Sequence, residues 1–180
     1  ERRKLKEYLR ACGEVILELR RFAEMCGPAR ELDYTKGFGL ELPHLAQLRD
    51  CARLLAADAL ITGEEGRQAE AVADILTGMK LARSLANEPI LISQLVRISI
   101  NGIMFKTIEN IRAEDIPPEL SETLIQYAAA NGCREGLANS IIGEGSFGLE
   151  AFDEIRSGDL NSFENLGMTG GNWNTFLLRM

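Results

Sequence analysis

The chain has a single histidine and a single tryptophan in 180 residues, and only 6% of its residues are aromatic. Any catalytic triad or histidine metal centre must therefore use His44, and no Gly-x-Ser-x-Gly elbow marks a nucleophile to go with it. The four cysteines, Cys12, Cys26, Cys51 and Cys133, form no Cys-x-x-Cys pair, which removes support for zinc ribbons and thioredoxin-type redox centres. On one helix Cys12 and Cys26 would stand about 21 Å apart, too far for a disulfide, so the cysteines read as small buried hydrophobes. Basic surplus is lacking too: 27 acidic against 20 basic residues leave a net charge of -7, which repels phosphate backbones and argues against nucleic acid as a partner. No apolar run reaches the roughly 20 residues that a membrane-spanning helix needs. The first residue is Glu1 rather than Met, so a signal or anchor preceding it is compatible with the sequence, and membrane contact would come only through such a segment.

What is there is ordinary globular material, 46% apolar and 26% charged, and its periodicity is helical. Residues 1 to 26 place Leu5, Leu9, Cys12, Ile16, Leu19, Ala23 and Cys26 on one stripe, widened by Tyr8, Val15 and Phe22. This predicts one helix ended by Gly27 and Pro28. The opening Arg2, Arg3, Lys4 and Lys6 read as a solvated helix end. Residues 28–43 show no helical period and read as an ordered loop anchored by Tyr34, Phe38, Leu40 and Leu42. Pro43 opens a second helix, a Thr62 to Gly66 turn leads into a third, and the short connection predicts an antiparallel hairpin. Residues 90–111, with seven isoleucines, are too long for a strand and apolar on several faces, which predicts a central buried helix. Asp115 or Pro118 starts a shorter helix closed by Asn131 and Gly132. A sixth runs from Arg134 to Arg156, with Ala138, Ile141, Gly145, Gly148, Phe152 and Ile155 inward. Residues 157–171 look loop-like, and Trp173 to Met180 open a last helix. The expected architecture is all-α: a single domain, 1–180, forming an irregular bundle or array of about five to seven helices.

Four patterns suggest chemistry. Gly143-Glu144-Gly145-Ser146-Phe147-Gly148 resembles a kinase glycine-rich loop, but no Val-Ala-Ile-Lys, His-Arg-Asp or Asp-Phe-Gly element accompanies it, so it reads as helix packing through Gly145 and Gly148. Glu41-x-x-His44 has the spacing of a di-iron half-site; with one histidine the other half cannot exist, and no metal or cofactor is expected. Glu144, Glu150, Asp153 and Glu154 read as a solvated acidic face. Gln94 and Arg97 interrupt the most apolar helix and read as a solvent-reaching edge, or as the lining of a pocket with His44 and the loop residues Asp33, Tyr34, Lys36 and Phe38.

The stretch Leu42-Pro43-His44-Leu45 through Leu54-Leu55, followed by Glu88-Pro89-Ile90-Leu91-Ile92-Ser93-Gln94-Leu95-Val96-Arg97, resembles a family of uncharacterised bacterial all-helical proteins, across residues 34–112. Members often carry an N-terminal membrane anchor, which implies an anchored or extracytoplasmic location; without that resemblance the expectation is cytoplasmic. Residues 45–87 have the rhythm of a tetratricopeptide hairpin without its signature residues or its repeat. The function these readings favour is a non-catalytic helical module that binds a protein partner or a second copy of itself. The competing reading is a ligand-binding protein or enzyme with a pocket between helices, bordered by the 28–43 loop.

Overall fold

The computed structural model describes residues 2–25, 32–111, 116–130 and 132–157. Gly27, Pro28, Asp115, Asn131 and everything after Ser157 lie outside them, and so do the expectations placed there. Within the described residues the protein is all-α: α1 (Arg2–Ala11), α2 (Gly13–Glu24), a 3-10 helix (Tyr34–Gly39), α3 (Pro43–Glu64), α4 (Gln68–Arg83), α5 (Leu91–Asn110), α6 (Pro118–Ala130) and α7 (Arg134–Ser157).

α3 and α4 form the expected hairpin. Pro43 occupies the first turn of α3, where its missing amide costs no hydrogen bond, and Gly66 takes a φ of 80° in the connection. Ala52, Ala56 and Ala59 of α3 face Val72, Ile75 and Met79 of α4, and the small side chains bring the helices close. Ile100 and Met104 of α5 and Leu124 of α6 complete this core. Gly78 belongs to the same contact: a β-carbon there would overlap Met104, so α4 and α5 meet at a bare backbone. A second cluster, Ile16, Leu55 and Leu81, joins α2 to the outer side of the hairpin.

Three expectations change. The N-terminal helix is two helices, interrupted at Cys12 (φ -88°, ψ 3°), and of its stripe Leu9, Ile16 and Ala23 are buried whereas Leu5, Tyr8, Val15 and Phe22 are exposed. Its basic end is paired rather than merely solvated: Arg2 binds Glu64, and Lys6 Nζ lies 2.7 Å from Glu65 Oε1. The loop before α3 contains a 3-10 turn, capped by Asp33, whose carboxylate accepts hydrogen bonds from Thr35 N (3.2 Å) and Thr35 Oγ1 (2.5 Å).

The third change is an inversion. α5 is central, but Ser93, Gln94, Arg97 and Asn101 are buried with Ile100 and Met104, whereas Ile92, Leu95, Ile98 and Phe105 are exposed. α7 is inverted as well. Its packed face is Gly136, Ser140, Gly143, Glu144 and Phe147, and the predicted inner face, Ala138, Ile141, Gly145 and Phe152, is turned outward or open. Polar groups supply the reason. The first amides of α5 have no side-chain cap of their own, and Glu144 Oε1 accepts from Leu91 N at 3.0 Å, which fixes the buried side of α7.

Candidate functional site

The predicted pocket residues mostly converge, but as a packed polar seam under α7. His44, in the first turn of α3, is buried and hydrogen-bonded through Nε2 to Glu88, 3.0 Å and 3.3 Å from its two carboxylate oxygens. This pairing, not Glu41, is the partner of the lone histidine. Partial burial, helped by the nearby Glu88, raises the Tyr34 phenol above its usual range. Asp33 stays outside the seam on the exposed surface, with its carboxyl held low chiefly by the Thr35 hydroxyl. Phe38 packs edge-on against Phe147 of α7, ring centroids 5.9 Å apart.

Gln94 is fully buried and caps the end of the α4 segment: its Nε2 donates to Leu85 O (2.7 Å) and Glu88 O (2.8 Å). Free carbonyls at a helix end need such a donor, so the side chain is drawn inward. Arg97 follows one turn later, only 4% exposed, its Nη1 donating to Gln94 Oε1 (3.3 Å) and its Nη2 to Gly132 O (3.0 Å). Neither reaches solvent as a helix edge. Asn101, a further turn along, donates from Nδ2 to Cys133 Sγ at 3.6 Å. Gly136 completes the fit, since a β-carbon there would lie 2.5 Å from Gln94 Oε1 and 2.8 Å from Arg97 Nη1. Glu88, Ser93 and Asn101 escaped the sequence reading, although Ser93, Arg97 and Asn101 share one helical line (i, i+4, i+8) that marks them in retrospect.

A cleft of about 350 Å³ opens elsewhere, lined by Leu9, Arg10, Ile16 and Arg20 of α1 and α2, by Asp58 and Ile61 of α3 and by Glu65 just after it. Behind it Asp74 of α4 is 0% exposed and accepts from Arg20 Nε and Nη2 at 2.7 Å, while Asp58 Oδ2 stands 3.8 Å from the same guanidinium. Burial, more than the neighbouring Asp58, overrides Arg20 and pushes the Asp74 carboxyl up to about 7. A lone aspartate between Val72 and Ile75 is the only sequence trace of this group.

The third feature is the outer face of α7. Ala138, Ile142, Gly145, Leu149 and Phe152 follow a 4-3-4-3 spacing and are all solvent-facing, with Ile142 69%, Leu149 70% and Phe152 71% exposed. No group of three or more His, Cys, Asp or Glu side chains that could hold a metal ion, and no helix long and apolar enough to cross a membrane, occurs among the described residues. No family model, curated protein or solved structure matches the chain.

Proposed function

We propose that the protein is a helical self-association module that pairs with a second copy through the outer face of α7. A repeat of 3.5 residues is the spacing that keeps a seam facing a partner helix. The seam is also self-complementary: an antiparallel two-fold pairing centred near Gly145 sets Phe152 against Ala138 and brings Ile142 within one residue of the position opposite Leu149, large against small at the ends and matched in the middle. The positions flanking it, Asn139, Ile141, Ser146 and Gly148, are uncharged, and Asp153 is the one exception. A chain of net charge -7 can therefore approach its copy along this strip without opposing like charges. The observation that carries the reading is the exposure of this seam over about 21 Å of helix, larger than the isolated apolar residues every surface shows.

Sedimentation equilibrium tests it. The wild-type chain is expected to run as a dimer in the micromolar range. Leu149→Glu, which sets a charge against Ile142 twice per dimer, is expected to weaken pairing by about 3 kcal/mol, two orders of magnitude in the dissociation constant. Because Leu149 is exposed in the single chain, the monomer's stability should change by less than about 0.5 kcal/mol. A wild-type chain that stays monomeric at its highest soluble concentration, or a dimer indifferent to Leu149→Glu, overturns the proposal.

A further inference from the structure

The cleft of about 350 Å³ beside the elbow between α1 and α2 falls within the size range of small-ligand sites. Its floor is apolar: Leu9 and Ile16 are 4% exposed and Ile61 8%. Leu17 lines it as well and is left 52% exposed. At the elbow itself a β-carbon on Gly13 would meet nothing within 4 Å, so that edge of the cleft is unfilled.

The lining carries four cations, Lys6, Arg10, Arg20 and Arg67, and three carboxylates, Asp58, Glu65 and Glu70. Lys6 and Arg67 hold Glu65 at 2.7 Å and 2.8 Å, Arg67 also holds Glu70, and Arg20 lies between Asp58 and the buried Asp74. Arg10 alone of the four has no carboxylate partner among the described residues. Because the Asp74 carboxyl is raised to about 7, it adds little charge at pH 6, and the cleft then keeps one positive charge in a chain of net charge -7. An arginine in the last turn of a helix is ordinary on an open surface. Here it shares a concave wall with Leu17, and water satisfies only the charged member of that pair.

We propose that this cleft binds a small carboxylate with an apolar tail, Arg10 pairing with the carboxylate and Leu9, Ile16, Leu17 and Ile61 taking the tail. A single surplus positive charge suits a monoanion, and a guanidinium fork matches the two oxygens of a carboxylate. A phosphate monoester carries about -1.5 to -2 charges, and its excess would face Asp58, Glu65 and Glu70. The cleft is separate from the outer face of α7, so loss of pairing through Leu149 leaves this binding intact.

The test is a titration of the nitrogen-15-labelled wild-type chain with octanoate at pH 6, followed through its amide chemical shifts. Octanoate is ionised there. The shifts are expected to saturate and to concentrate on residues 9–20 and 58–65. Octan-1-ol, which keeps the tail without the charge, and acetate, which keeps the charge without the tail, should each bind more weakly by about tenfold or more. Arg10→Gln, at an exposed and unpaired position, is expected to weaken octanoate binding by about tenfold while leaving the thermal midpoint without ligand unchanged. Leu17→Gln should weaken it several-fold. Shifts that never saturate, or that gather on the outer face of α7, mean adsorption to exposed apolar surface and overturn the proposal. Equal binding of octan-1-ol, or undiminished binding to Arg10→Gln, does the same. Octyl phosphate binding more tightly than octanoate overturns the assignment to a carboxylate.

Discussion

Between pH 5 and pH 8, wild-type stability is expected to fall by about 3 kcal/mol relative to Asp74→Asn. The carboxyl of Asp74 is raised from 3.8 to about 7. Raising a carboxyl that far is worth roughly 4 kcal/mol in all, of which the pH 5 to 8 range captures most. The sign follows from the direction. Above pH 4 the unfolded chain has lost this proton and the folded chain retains it, so the folded state is favoured there, and the advantage disappears as pH rises through about 7. Burial is the main cause: among the described residues Asp74 Oδ2 has no hydrogen-bond partner, and Asp58 draws on the same Arg20 guanidinium. Glu65, held down to about 2 mainly by its hydrogen bond from Lys6, works in the opposite direction but titrates below the tested range. Urea denaturation at pH 5, 6, 7 and 8 for both proteins measures the difference directly. Parallel profiles would mean that Asp74 is already ionised throughout.

Alanine at two glycines of α7 is expected to give opposite results. At Gly143 a β-carbon would overlap the carbonyl oxygen of Pro89, a backbone atom that cannot swing aside. α7 would have to move off α5, losing the Glu144 cap on Leu91 N and the Phe38–Phe147 contact. Even after the gain of about 1 kcal/mol from replacing a helical glycine, a net loss of about 2 to 3 kcal/mol is expected. At Gly148 a β-carbon meets nothing within 4 Å, so the propensity gain stands alone and Gly148→Ala should stabilise by up to about 1 kcal/mol. Denaturant midpoints of the two variants moving in the same direction would disprove this docking of α7.

The helices were legible because periodicity survives in any context: Pro43 starts α3, the turn at Gly66 closes the hairpin, and residues 90–111 are long enough to rule out a strand. The break at Cys12 was not, since the apolar stripe continues through it in register and only the packing of α2 on Leu55 and Leu81 distinguishes two helices from one. The inward faces of α5 and α7 were misread for a common reason. Hydropathy ranks Ile92, Leu95, Ile141 and Phe152 above Gln94, Arg97, Ser140 and Glu144, but buried backbone ends must be hydrogen-bonded, and Gln94 and Glu144 meet that demand from the inside. His44, Gln94 and Arg97 stand out in the sequence as the lone histidine and the polar breaks in its most apolar helix; that they share one seam with Glu88 depends on residues 44 positions apart in sequence meeting in space.

Sequence alone determined the all-α class, the α3–α4 hairpin and the central place of α5, because each rests on local spacing and turn chemistry that act within a few residues. Only the tertiary structure decided which side of α5 and α7 faces inward, that Arg97 is buried against Gln94 and the Gly132 carbonyl, and that Asp74 meets Arg20 and Asp58. Those outcomes depend on which long-range partners satisfy the helix ends and the buried charges, and a one-dimensional pattern of hydrophobicity does not carry that information.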